Sequence, residues 1–198
     1  MNPQPKNDFN RNELILMFIE NNYRVGAEIG VWKGYFSRQL CKRVPGLKLY
    51  CIDLWEPFSC DFFPKSLSKS SASENKKWYF AFESKEWQDS FYRSACWRLS
   101  KYNAIIIRKA SMEAVKDFPE GSLDFIYIDA NHSYDFVMQD LIEWSKRVRI
   151  GGIISGHDYD PDWGVKQAVD DYVRINNIDN CFYSGKTGQS SSFWWMKK

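Results

Sequence analysis

The chain has 198 residues, 44% hydrophobic and 26% charged, with a formal net charge of +2. That length suits one domain with a substantial core. The near-neutral balance argues against a nucleic-acid or membrane-surface partner. No apolar run approaches the ~20 residues of a membrane span, and the start M-N-P-Q-P-K-N-D lacks the apolar stretch of a signal peptide. A cytoplasmic location is therefore expected. The five cysteines, at 41, 51, 60, 96 and 181, are odd in number and show no paired spacing. They read as reduced thiols, with no disulfide framework or zinc site. Nine Trp and eleven Tyr exceed what a core of this size needs. Part of that surplus suits a ligand pocket or a subunit contact, so a homo-oligomer is compatible with the composition.

In chain order, Asp8 is placed to cap a helix reaching about residue 22, with Ile15, Phe18 and Ile19 on one face. The run V-G-A-E-I-G-V-W-K-G (25–34) predicts a buried strand over 25–29, a glycine turn and a helix to about Val44, stopped by Pro45-Gly46. A second strand covers about 47–52, with Asp53 at its end. Residues 56–80 carry Pro57, Pro64 and a serine-rich patch without a clean period, and read as an inserted loop or lid. A helix fits 84–101, where Trp87, Phe91, Ala95 and Leu99 recur every four residues. Then follow a strand at 104–107, a short helix at 111–117, a strand at 123–128 and a long helix at 134–149. Gly151-Gly152 leads into a strand at 153–155, and a helix fits 164–176. Strands at 181–184 and 192–197, joined through K-T-G-Q, close the chain as a hairpin. Alternating strands and helices predict an α/β fold: a Rossmann-like, seven-stranded, mostly parallel sheet with helices on both faces and a C-terminal antiparallel hairpin. All of it reads as a single domain.

The strand–glycine turn–helix unit brings backbone close to a ligand and aims free N–H groups at it. Its spacing, E-x-G-x-x-x-G, is not the dinucleotide fingerprint G-x-G-x-x-G. Asp53 follows Gly30 by 53 − 30 = 23 residues and ends the neighbouring strand. Its carboxylate is placed to accept hydrogen bonds from the vicinal hydroxyls of a ribose lying over the turn. The two histidines of the chain, His132 in D-A-N-H-S-Y and His157 in S-G-H-D-Y-D, fall just beyond the carboxyl ends of two strands. Asp129, Asp158 and Asp160 fall there too. This is where open α/β sheets bind ligands. Such a set serves as a general base toward a hydroxyl or amine, or as a metal site.

Residues 25–34 resemble motif I of the class I S-adenosylmethionine-dependent methyltransferases. The acid at 53 and the strand order with its closing hairpin extend the resemblance over about 24–198, apart from the insertion. The strings I-D-A-N-H-S-Y and G-G-I-I-S-G-H-D-Y look like small O-methyltransferases related to macrolide-sugar O-methyltransferases and cephalosporin-hydroxylase-like proteins. The resemblance implies S-adenosylmethionine as cofactor. It implies Glu28 at the cofactor's amino-acid end, Gly30 and Gly34 at the turn, Asp53 at the ribose, and Ser111 and Met112 at the adenine, with Asp129 close by. Ser111 also reads as the start of a capping box, and Trp55 as a pocket wall or a packing residue. The implied reaction is O-methylation of a small hydroxylated molecule, a sugar or natural-product moiety, with His132, His157 and Asp129 as catalytic residues. Catechol-type relatives hold magnesium with an Asp at the end of the fourth strand and an Asp-Asn pair at the fifth. Asp129 matches the first, and His157-Asp158 takes the place of the pair. Magnesium prefers oxygen ligands, whereas manganese tolerates a histidine better. Two other readings stand beside this one. An NAD-dependent oxidoreductase lacks its glycine fingerprint and a Tyr-x-x-x-Lys pair here. A non-enzymatic S-adenosylmethionine-binding relative would keep the fold without the acceptor chemistry.

Overall fold

The apolar runs of the sequence align into one eight-stranded sheet in the computed structural model, which describes residues 3–6, 10–58, 82–161, 163–184 and 191–198. The strands are β1 (Gln4–Pro5), β2 (Val25–Ile29), β3 (Lys48–Asp53), β4 (Ala104–Arg108), β5 (Leu123–Ile128), β6 (Val148–Gly156), β7 (Phe182–Tyr183) and β8 (Phe193–Met196). The helices are α1 (Arg11–Glu20), α2 (Tyr35–Arg43), α3 (Lys85–Leu99), α4 (Ser111–Ala114), α5 (Tyr134–Arg147) and α6 (Gly164–Ile175). A 3₁₀ turn, Val115–Asp117, follows α4. The strand order is β1-β7-β8-β6-β5-β2-β3-β4. All neighbours pair in parallel except β8, which runs antiparallel to both β6 and β7.

Side chains alternate across the strands and divide the core into two. Phe125 and Tyr127 of β5 pack with Leu14, Ile15 and Phe18 of α1, Phe36 and Leu40 of α2, and Phe91 and Ala95 of α3. Ile126 and Ile128 face the other way, onto Val137, Leu141 and Trp144 of α5 and Val165, Val169 and Val173 of α6. The central strand β2 has β3 on one side and β5 on the other. The winding direction therefore reverses at β2, which opens a crevice at the carboxyl ends of β2 and β5.

Several expectations shift. The sheet has eight strands because Gln4–Pro5 adds a parallel pair onto β7, too short to carry a periodic signal. Asp8 lies outside the described residues, and the cap of α1 is Asn10. Its side chain accepts from the Asn12 N–H at 2.7 Å, and Glu13 reaches back to the Asn10 N–H at 3.0 Å. The fifth expected strand is longer than 153–155: it begins at Val148, directly after α5. Ser111 does not cap its helix; Ala110 stands at that position. Most of the expected insertion, from residue 59 on, and the K-T-G-Q turn lie outside the described residues. Among the described residues Cys41, Cys51, Cys96 and Cys181 are free thiols, and no helix is long and apolar enough to cross a membrane.

Candidate active site

The turn after β2 is wound tightly: Gly30, Trp32 and Gly34 all have positive φ, at 91°, 50° and 76°. Gly30 lies so close to the end of β5 that a Cβ there would stand 2.1 Å from the Asp129 carbonyl oxygen. The turn and the Asp129–Ala130 backbone are thus one packed unit. Asp53, at the end of β3, holds the turn from the other side. Its Oδ2 accepts from the N–H groups of Val31 at 2.9 Å and Trp32 at 2.8 Å, and its Oδ1 from Trp55 at 3.1 Å. The Leu54 N–H adds a fourth backbone donor, so the main chain accounts for about all four acceptor sites of the carboxylate. Burial pushes the Asp53 carboxyl above its usual range, although the backbone donors pull it back. Trp55 is buried, and its indole donates to the Trp32 carbonyl at 2.8 Å while its ring meets Tyr92 edge-on. The packing alternative is the one realised for this tryptophan.

Glu28 is buried on the α2 side of β2, where the Ser37 hydroxyl donates to it. Burial raises its carboxyl to about 8, with Asp129 and Asp53 adding to the rise and Ser37 and Arg11 opposing it. Two acids, the buried Glu28 and the half-buried Asp53, therefore end or nearly end adjacent central strands at the crevice. Ser111, just past β4, is committed inward: its hydroxyl donates to Asp140 and accepts from the Trp144 indole at 2.8 Å. Met112 packs half-buried against the same core. Burial raises the Asp140 carboxyl to about 7, against the pull of the Ser111 hydroxyl.

The second half of the site lies beyond β5 and β6, whose parallel ladder continues through the His157 N–H to the Ile128 carbonyl at 3.0 Å. His132 Nε2 lies 3.2 Å from Asp158 Oδ2 and 3.7 Å from Asp129 Oδ1. The Trp163 ring stands edge-on to the imidazole, with centroids 4.8 Å apart. Burial works against a charge on His132, but Asp129 and Asp158 prevail and hold its pKa above the ordinary value. His157 turns to the other oxygen of Asp158, with Nδ1 at 3.2 Å from Oδ1.

One group of donors among the described residues could share an ion: Asp129, His132 and Asp158, whose ligand atoms all lie within 4.8 Å of one another. The third member is His132, where the sequence pattern pointed to His157; Asp160 does not join. Two carboxylates and an imidazole are not the all-oxygen set that magnesium takes. Asp129 is moreover already held by Arg11, whose terminal nitrogen donates to Oδ2 at 2.8 Å. These residues do not fit magnesium.

Arg11 and Tyr127 were not legible as site residues. The Arg11 Nε donates to the Tyr127 hydroxyl at 2.7 Å, and its guanidinium lies 5.0 Å from the Phe36 ring centroid and 5.5 Å from that of Tyr127. One signal was present. An arginine at the first position of a helix opposes the macrodipole, which favours acids there, and so asks for an external partner. Asp140 carried a comparable signal, an acid on the apolar face set by Val137, Leu141 and Trp144.

The methyltransferase-domain family matches residues 27–159. The chain belongs to that family. The resemblance to class I S-adenosylmethionine-dependent methyltransferases is borne out by this match and by the sheet order, and the protein is an enzyme of methyl transfer. No curated protein matches it in sequence. Similar solved structures include the O-methyltransferase NovP, at 17% identity and TM-score 0.64 over 95% of this chain and 78% of that one. Another is the O-methyltransferase TomG from Streptomyces achromogenes, involved in tomaymycin synthesis and solved with SAM, at 16%, 0.61, 95% and 79%. An rRNA methylase from Streptococcus thermophilus shares the fold at 13% identity and TM-score 0.62, over 97% of this chain and 99% of that one. At such identities the likeness is one of fold, and it spans acceptors of very different kinds.

Proposed function

We propose that this methyltransferase transfers a methyl group from S-adenosylmethionine to a hydroxyl of a small molecule. The described elements would act as one catalytic domain, with His132 as general base. The observation that carries this reading is the single packed unit formed by the Gly30 turn and the Asp129 backbone, beside which His132 stands between two carboxylates. Cofactor turn and proton acceptor share one rim.

The donor set suits the cofactor. A ribose hydroxyl would take the place of one of the backbone donors on Asp53, and the acids Glu28 and Asp53 gain from a cationic ligand. Gly30 and Gly34 shape the turn, while Met112 and the backbone of Ser111 border the adenine side. When bound, S-adenosylmethionine supplies a methyl carbon activated by its sulfonium. His132 would take the proton that the acceptor hydroxyl gives up on methylation. A proton on Nε2, shared with Asp158, leaves Nδ1 as the basic lone pair, and the two carboxylates stabilise the resulting imidazolium. Catalysis is otherwise positioning. No step calls on magnesium, which the donor set does not suit.

Calorimetry with S-adenosylhomocysteine tests the cofactor half. The wild type is expected to bind in the micromolar range, Asp53→Ala roughly tenfold or more weakly, and His132→Ala unchanged. An Asp53→Ala variant that binds as the parent does overturns the ribose assignment. The base is tested on any hydroxylated acceptor that turns over: His132→Ala lowers kcat by roughly 10²–10⁴-fold. Because His132 is held above the ordinary 6.5, the neutral base dominates only above that pH. The rate therefore rises with pH through a midpoint above 6.5, and Asp158→Asn moves that midpoint down. A midpoint indifferent to Asp158 removes His132 from the role.

A further inference from the structure

Arg11 stands outside the residues that match the family, yet it reaches into the centre of the rim. It is fixed there by the Tyr127 hydroxyl, the Asp129 carboxylate and two aromatic faces. Only two of the five N–H groups of a guanidinium are used by these bonds, and its side chain keeps 36% of its exposure. Asp129 is the acid that would offer a dication its first carboxylate. Its Oδ2 is taken by Arg11, and its Oδ1 lies 3.7 Å from His132.

We infer that Arg11 is the resident cation of the acceptor site, meeting on Asp129 the charge that a divalent ion would otherwise meet. A guanidinium does not deprotonate in proteins, so this charge is permanent. A dication sharing Asp129 would stand within a few ångströms of it, and the two would repel. The unused N–H groups serve the acceptor. They are donors for the oxygen that gains negative charge as its proton leaves, the part a Lewis acid plays in other sites. This last role rests on the methyltransferase reading; the competition for Asp129 does not.

The test uses manganese(II) as the probe, followed by its electron paramagnetic resonance signal, with S-adenosylhomocysteine affinity measured in parallel as a check on the fold. The wild type is expected to show no saturable manganese binding at the site. Arg11→Gln frees Asp129 and raises manganese affinity at least roughly tenfold, Arg11→Gln with Asp129→Asn loses the gain, and Arg11→Lys, which keeps the charge, shows none. Tight manganese binding by the wild type, equal to that of Arg11→Gln, overturns the inference. So does a folded Arg11→Gln that binds no manganese, or an Arg11→Lys that binds as Arg11→Gln does. If Arg11→Gln does not fold, the wild type decides alone: saturable binding abolished by Asp129→Asn overturns the inference, and its absence supports it. Failure of S-adenosylhomocysteine to bind the wild type would instead count against the methyltransferase reading, leaving the manganese result to stand separately.

Discussion

Glu28 stands in an environment far from what its type prefers. It is 2% exposed, at the centre of the sheet, and its carboxyl is raised to about 8 chiefly by burial. An unfolded glutamate titrates near 4.5. Between these values the native chain holds a proton that the unfolded chain has released, so stability falls as pH rises through that window. Glu28→Gln keeps the shape and the Ser37 contact but cannot ionise. Thermal unfolding of the ligand-free protein from about pH 5 to about pH 8.5 is expected to show a steeper loss of Tm in the wild type than in the variant. Equal slopes would mean that Glu28 ionises in the native state without penalty.

At the scale of the element, the turn between β2 and α2 joins two demands. Its glycines both have positive φ, but their surroundings differ. A Cβ at Gly30 meets main-chain atoms of Asp129 and Ala130 at 2.1–2.6 Å, which cannot yield unless β2 and β5 part at their ends. A Cβ at Gly34 meets the Ala95 Cα at 3.2 Å, which asks α3 to shift by a few tenths of an ångström. The left-handed conformation itself costs a non-glycine residue about 1–2 kcal/mol. Gly34→Ala is therefore expected to remain folded with a modestly lower Tm. Gly30→Ala should lose about 3 kcal/mol or more, together with measurable S-adenosylhomocysteine binding. Similar Tm values for the two variants would contradict the packing described at Asp129.

For the whole molecule, the residues that match the family do not suffice for its core. Leu14, Ile15 and Phe18 of α1 are fully buried, and the Phe18 ring stacks on Phe125 of β5 at 3.9 Å between centroids. Tyr23 adds a hydrogen bond from its hydroxyl to the Gly151 carbonyl at 2.5 Å. Each such apolar side chain contributes about 1.5–3 kcal/mol, and their sum rivals the ~5–15 kcal/mol that holds a domain together. A chain beginning at Arg24 is expected to lose cooperative unfolding in circular dichroism. A sharp transition within a few degrees of the parent's would show that α1 is dispensable to the fold, and that Arg11 is delivered by an element the core does not need.

Local periodicity and neighbours in the chain carry much of the fold. Strands 25–29 and 123–128 match β2 and β5 because an apolar run bounded by turn residues has one way to be buried in a parallel sheet. The glycine turn, the acid at Asp53 and the rim position of both histidines follow from strand ends, which are local, and these carried the family. Tertiary structure decided what depends on approach between distant segments. Arg11 and Asp129 are 118 positions apart and meet because α1 packs across β5. His132 reaches two carboxylates, 3.2 Å from Asp158 and 3.7 Å from Asp129, while His157 meets the other oxygen of Asp158 at 3.2 Å. Charge pairing at a site is a matter of a few ångströms, and no spacing along the chain encodes which cation reaches an acid first.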